Sequence, residues 1–98
     1  MVGGTVLEVL MSFINRSKAD PRLSSTHVSV FLTLLFLCYR RKGDGKLQAF
    51  AKEVMPLAKI SSPSTYLRCV NDLHTFGYLI YEPSYKNKVG SRITFHGL

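Results

Sequence analysis

The chain has 98 residues, 46% of them apolar, with 13 basic against 6 acidic groups and a net charge of +7. This length gives one domain with a single modest core, and the apolar content excludes a disordered chain. The charge is uneven: Arg16, Lys18 and Arg22 against Glu8 and Asp20 leave +1 in residues 1–39, whereas ten basic groups against Asp44, Glu53, Asp72 and Glu82 leave +6 in residues 40–98.

Residues Thr5 to Lys18 read as a first helix, apolar at Val6, Leu7, Val9, Leu10, Met11, Phe13 and Ile14. That is more than one stripe, so the helix needs cover on more than one side, from the rest of the domain or from a second copy of the chain. Asp20-Pro21-Arg22 breaks the pattern, because proline restricts both itself and the residue before it. A second helix opens on Ser24 or Ser25, either one a good N-cap, and runs to Tyr39 or Arg40. Its apolar positions Val28, Phe31, Leu32, Leu34, Leu35, Phe36, Leu37 and Cys38 go nearly all round, the mark of a central buried helix. A membrane anchor is the weaker reading, since the run from Val28 to Tyr39 is about a dozen residues and too short to span a bilayer.

Arg40 to Lys46 is a loop with Gly43 and Gly45 for chain reversal, and Leu47-Gln48-Ala49-Phe50 a short extended piece. Lys52 to Lys59 is a short helix with Val54, Met55 and Leu57 or Ala58 inward. Pro56 disturbs it, at about 3 kcal/mol for a mid-helix position. From Ser62 the pattern clears: a Ser cap, Pro63 in the first turn, then Leu67, Val70 with Cys69, Leu73 and Phe76 or Gly77 on one face. Ser64, Thr65, Arg68, Asn71, Asp72 and Thr75 take the other face, and Gly77 closes the helix in the left-handed conformation. Residues 78–82 and 91–95 then pair as strands around a long loop, Pro83 to Gly90.

Cys38 and Cys69 stand 31 positions apart in apolar helices with no C-x-x-C pair, so they read as free buried thiols in a reducing compartment. The N-terminus lacks the features of a secretory signal, and a cytoplasmic protein is expected. His27, His74 and His96 are isolated in sequence, and no metal-spaced set, phosphate loop or nucleophile signature occurs. Neither an enzyme nor a cofactor or metal is implied.

Two helices joined by a tight turn and followed by a basic hairpin make the order that a winged helix-turn-helix needs. In that arrangement Ser62, Ser64, Thr65 and Arg68 lie on the first turns of the recognition helix, with Arg68 suited to guanine and Asn71, one turn on, to adenine. The plainer reading makes Ser62 and Ser64 caps and Arg68 an exposed helix residue. Lys86, Lys88 and Arg92 form an acid-free cluster suited to phosphates, where a charge run alone would be a solvated tip.

The segments Leu23-Ser24-Ser25-Thr26-His27-Val28-Ser29, Lys59 to Cys69, and Asp72 to Ser84 resemble those of the winged helix-turn-helix DNA-binding proteins. More narrowly, they resemble the small regulators and accessory factors of bacterial mobile elements and conjugative transposons. The resemblance covers about residues 24–96 and implies residues 62–71 as recognition helix and 85–92 as wing. The expected fold is therefore α+β and mainly helical: an N-terminal helical segment, 1–22, available for homodimerisation, then a winged helix-turn-helix domain, 23–98. The expected function is sequence-specific binding of double-stranded DNA without membrane association. The rivals are a winged-helix protein-interaction module and a basic domain that binds RNA or anionic surfaces by charge alone.

Overall fold

The computed structural model describes residues 5–41, 45–84 and 90–98, which form four helices and a three-stranded antiparallel sheet. Thr5 starts α1 (Val6–Ser17) through a reciprocal cap: its hydroxyl accepts the Glu8 N–H at 3.1 Å, and Glu8 accepts the Thr5 N–H at 2.8 Å. Val9 and Phe13 enter the core, while Leu7, Met11 and Ile14 stay exposed, so one chain covers only one side of this helix.

Ser24 caps α2 (Ser25–Arg40), as its position predicts. Phe31 of α2 stacks on Phe13 of α1 at 3.8 Å between ring centroids and meets Phe95 edge-on at 5.4 Å. Val30, Leu34, Leu35, Leu37 and Cys38 extend the apolar buried surface of α2, and His27 and Thr33 are buried beside them. The expectation of a helix buried nearly all round needs correction. Leu32, Phe36 and Tyr39, spaced to share one face, are exposed, because helices and sheet pack around the rest of α2 and leave this face open.

The extended piece beginning after Gly45 is a strand, β1 (Lys46–Ala49), with Leu47 and Ala49 turned inward. It joins β2 (Leu79–Glu82) and β3 (Ser91–Phe95) in the order β1-β3-β2. The register pairs Lys46 with Thr94 and Gln48 with Arg92 on one side, and Leu79 with Phe95 and Glu82 with Arg92 on the other. The sequence therefore names the hairpin and the extended piece but not the pairing of the two. Gly90 is required where β3 begins, since a Cβ there would lie 2.8 Å from the Ala49 backbone.

α3 (Ala51–Ala58) starts one residue earlier than its pattern indicates and keeps Pro56 inside it. Val54 and Ala58 are buried, whereas Leu57 is 51% exposed. Glu53 fixes the start of α3: it accepts the Phe50 N–H at 2.9 Å and the Arg41 guanidinium at 2.6 Å, and the arginine holds its carboxyl below the usual range. α4 (Pro63–Thr75) ends as predicted, with Gly77 at φ +84° and the Tyr78 N–H donating to the Leu73 carbonyl at 2.8 Å.

The linker between α1 and α2 is pinned to the far end of the chain. Asp20 accepts the Arg22 guanidinium at 2.9 Å and the Tyr78 hydroxyl at 2.7 Å, which together hold its carboxyl well below the ordinary value. Arg22 lies over the Phe76 ring at 4.0 Å and Arg16 over Tyr78 at 4.3 Å. Both cysteines are buried, and the Cys38 thiol lies 4.0 Å from the Lys46 carbonyl. No helix among the described residues is long and apolar enough to cross a membrane.

The packing separates two apolar residues that the sequence treats alike. Phe13→Ala removes the ring seated between Phe31 and Tyr78 and lowers unfolding free energy by about 3–5 kcal/mol. Leu57→Ala, on the open side of α3, stays within about 0.5 kcal/mol of the parent. Urea denaturation followed by circular dichroism checks both.

Candidate nucleic-acid interface

The candidate surface is built on α3, the turn Lys59 to Ser62, and α4. Ser62 has extended backbone and accepts the Thr65 N–H at 3.3 Å, with its hydroxyl 2.9 Å from that of Ser64. Pro63 follows at the first helical position, where a missing N–H costs nothing. Ser62 is thus the cap that the plainer reading made it, and Ser64 shares the cap through its hydroxyl.

The face α4 turns to solvent carries Ser64, Leu67, Arg68, Asn71, His74 and Thr75, with Thr65 half-buried beside them. Five of the six exposed side chains are polar, so this is not the face that packs into the core. The buried face holds Tyr66, Cys69, Val70 and Leu73. Here the periodicity misassigns one position: Leu67 is exposed, and Tyr66 takes the inward place. Burial, with Tyr81 and Glu53 nearby, pushes the Tyr66 hydroxyl up to about 12, and burial likewise raises the Cys69 thiol despite the adjacent Arg68 guanidinium. Asn71 is exposed but already donates its amide to the Leu67 carbonyl at 2.8 Å, leaving its oxygen and one N–H available.

Arg92 is not part of a loop. It lies on the exposed side of the central strand β3, beside Gln48 and 4.0 Å from Glu82. Arg92, Lys46 and Arg41 line one open hollow of about 530 Å³. Arg41 is committed there, donating to the Gln48 carbonyl at 2.7 Å as well as to Glu53. Lys86 and Lys88 lie outside the described residues. The structure therefore brings Ser62, Ser64, Thr65, Arg68 and Asn71 onto one helix and sets Arg92 on a separate element.

His27 is far from isolated. It is 6% exposed, and its Nε2 lies 2.8 Å from the Asp72 carboxylate on α4. The Ser24 backbone N–H donates to its Nδ1 at 3.0 Å, which fixes the ring proton on Nε2 as the donor to Asp72. The Ser24 hydroxyl, 2.8 Å from the same Nδ1, also accepts the His27 backbone N–H at 3.5 Å. Ser, His and Asp here form a capping box with histidine in the place usually held by glutamate, extended across to α4. The Nδ1 lone pair that would serve a serine nucleophile is already taken by a backbone donor. The local signal, a Ser cap three residues before a side chain able to accept, was present; the partner 45 residues away was not. His74 also acts structurally, accepting the Tyr81 N–H at 3.1 Å. Among the described residues no group of three or more His, Cys, Asp or Glu is placed to hold a metal ion.

Ser29, on the next part of α2, donates to the Ala58 carbonyl at 2.6 Å, closing the last turn of α3. One stretch of α2 thus fixes both helices that flank the turn. No protein-family model, curated protein or solved structure matches this chain.

The tie to α4 yields a direct expectation. Asp72→Ala strands a buried His27 donor and costs about 1–3 kcal/mol, whereas Asp72→Asn, which keeps an acceptor oxygen, costs less. Thermal unfolding of both variants in one buffer checks the order.

Proposed function

We propose that this protein binds duplex DNA sequence-specifically through a winged helix-turn-helix. In this reading α4 enters the major groove and the 83–90 loop lies on the backbone. The observation that carries it is the order α2, β1, α3, turn, α4, β2, β3 with sheet order β1-β3-β2, which leaves the polar face of α4 exposed. Arg68 is the base-reading residue, Asn71 a second one through its remaining amide capacity, and Ser62, Ser64 and Thr65 phosphate contacts. Lys86 and Lys88 supply phosphate neutralisation from the loop, and Arg92 supports its base. Occupancy of a site or recruitment of another protein is the output, as in a transcriptional regulator or an accessory factor in replication or excision of a mobile element.

The test is fluorescence anisotropy with the duplex upstream of the protein's own gene and an unrelated duplex at two salt concentrations. Tighter binding to the upstream duplex that survives added salt is expected. Arg68→Ala should cost about 1–3 kcal/mol on that duplex and little on the other. Lys86→Ala with Lys88→Ala should weaken both duplexes and lower the salt slope by about 1 per lysine. Equal binding that collapses with salt would reduce the protein to a nonspecific electrostatic binder.

A homodimer belongs to the same proposal. Leu7, Met11 and Ile14 on α1 follow the spacing of a helix seam and carry no charge, which suits a second copy of the same helix. Glu8 near the start of α1 and Lys18 just past its end set opposite charges together at both ends of an antiparallel pair. Light scattering should give twice the 11.0 kDa of one chain, and Leu7→Glu with Met11→Glu should return it to one. The second reading, a protein-interaction module, is favoured by the exposed Leu32, Phe36 and Tyr39 on α2. It gains if neither duplex binds.

A further inference from the structure

We propose that Lys59 contacts the phosphate backbone of the bound duplex, and that this contact is why a lysine rather than a glycine occupies the turn between α3 and α4. The inference rests on the duplex-DNA reading above and adds a residue to it.

Lys59 has φ +62° and ψ 41°, and it is the one non-glycine residue with positive φ among the described residues. The other positive-φ positions are Gly45, Gly77 and Gly97. The left-handed region is strained for a residue with a Cβ and free of strain for glycine. The surroundings impose the conformation whatever the side chain. The Lys59 N–H donates to the Pro56 carbonyl at 3.3 Å, the Ile60 N–H to the Met55 carbonyl at 2.9 Å, and Ser29 holds the Ala58 carbonyl at 2.6 Å. A strained backbone persists where its neighbours over-determine it, and such strain is common at functional sites.

The side chain does not repay the strain within the fold. It is exposed, and its ammonium makes no hydrogen bond or ion pair among the described residues. Lys59 stands three residues before the Ser62 cap, on the turn that delivers the polar face of α4. An ammonium on a flexible stem is a point charge with three donors, so it can reach a phosphate oxygen without the planar geometry an arginine fork demands. Such a contact adds affinity and register but no sequence information, complementing Arg68.

The test compares the parent, Lys59→Gly and Lys59→Asn, the last a neutral residue that tolerates the same backbone region. Each is titrated against the upstream and unrelated duplexes across a salt series, with thermal unfolding of the free proteins alongside. The expected result is a Tm for Lys59→Gly at or above the parent's. Both variants should lose affinity about threefold or more on both duplexes by the same factor, and the slope of log K against log salt should fall by about 0.9. Parental affinity and slope in both variants, while the parent binds DNA, would overturn the role of Lys59 and leave the DNA reading standing. A Tm for Lys59→Gly below the parent's would overturn the premise that the lysine is strained. No binding by the parent to either duplex would overturn the DNA reading and the inference together.

Discussion

The ring of Phe31 joins the parts of this molecule that are furthest apart in sequence. It stacks on Phe13 of α1 and meets Phe95 of β3 edge-on, so the N-terminal helix, the central helix and the last strand share one contact. A 98-residue chain has little core to spare, and most of its net stability is a small remainder after conformational entropy. Under that constraint a helix joins the domain by giving it apolar surface. α1 does so with Phe13, which also touches Tyr78 edge-on, and Tyr78 in turn holds Asp20 of the connecting segment. The apolar residues that α1 has left over are those on the side Phe13 does not face.

With α2 seated, its first turns act as a jig for the helix pair beyond β1. His27 reaches Asp72 in the last turn of α4, and two residues later Ser29 reaches the last carbonyl of α3. Both bonds start from side chains held by the Ser24 cap or by helix geometry, and both end on backbone or carboxylate acceptors. The angle between α3 and α4 is therefore set from outside the turn that joins them. This explains how a residue with a Cβ can be kept in the left-handed region at position 59: the turn connects two helices whose places are already fixed.

The sequence makes plain what is local and hides what is not. Caps at Ser24 and Ser62, the stop at Gly77 and the two hairpin strands were legible because each depends on a few neighbouring residues. Tyr66 and Leu67 show where periodicity runs out. Adjacent positions differ by only 100° around a helix, both are apolar, and the choice is made by the His27–Asp72 tie and the neighbours that rotate α4. The pairing of β1 with β3 spans more than forty residues and leaves no trace in a four-residue strand. The open face of α2 was hidden for another reason: Leu32, Phe36 and Tyr39 are as apolar as the core, and composition cannot say that no element of the chain will arrive to cover them.

The same division applies to charge. Of the six arginines, five have a partner inside the domain: Arg16 over Tyr78, Arg22 on Asp20 and Phe76, Arg40 near Phe36, Arg41 on Glu53 and the Gln48 carbonyl, and Arg92 within reach of Glu82. Guanidinium groups suit this work because they stack and bond in a plane at once. The net charge of +7 therefore overstates what the molecule can offer an anionic partner through its arginines. Arg68 differs: it sits on the exposed face of α4, and its guanidinium interacts, by charge and a side-chain hydrogen bond, with the neighbouring buried Cys69 thiol. An arginine whose partner among the described residues is only the adjacent Cys69 thiol, placed on the polar face of α4, is the feature on which the proposed reading turns. Total basicity could have been produced just as well by a solvated surface.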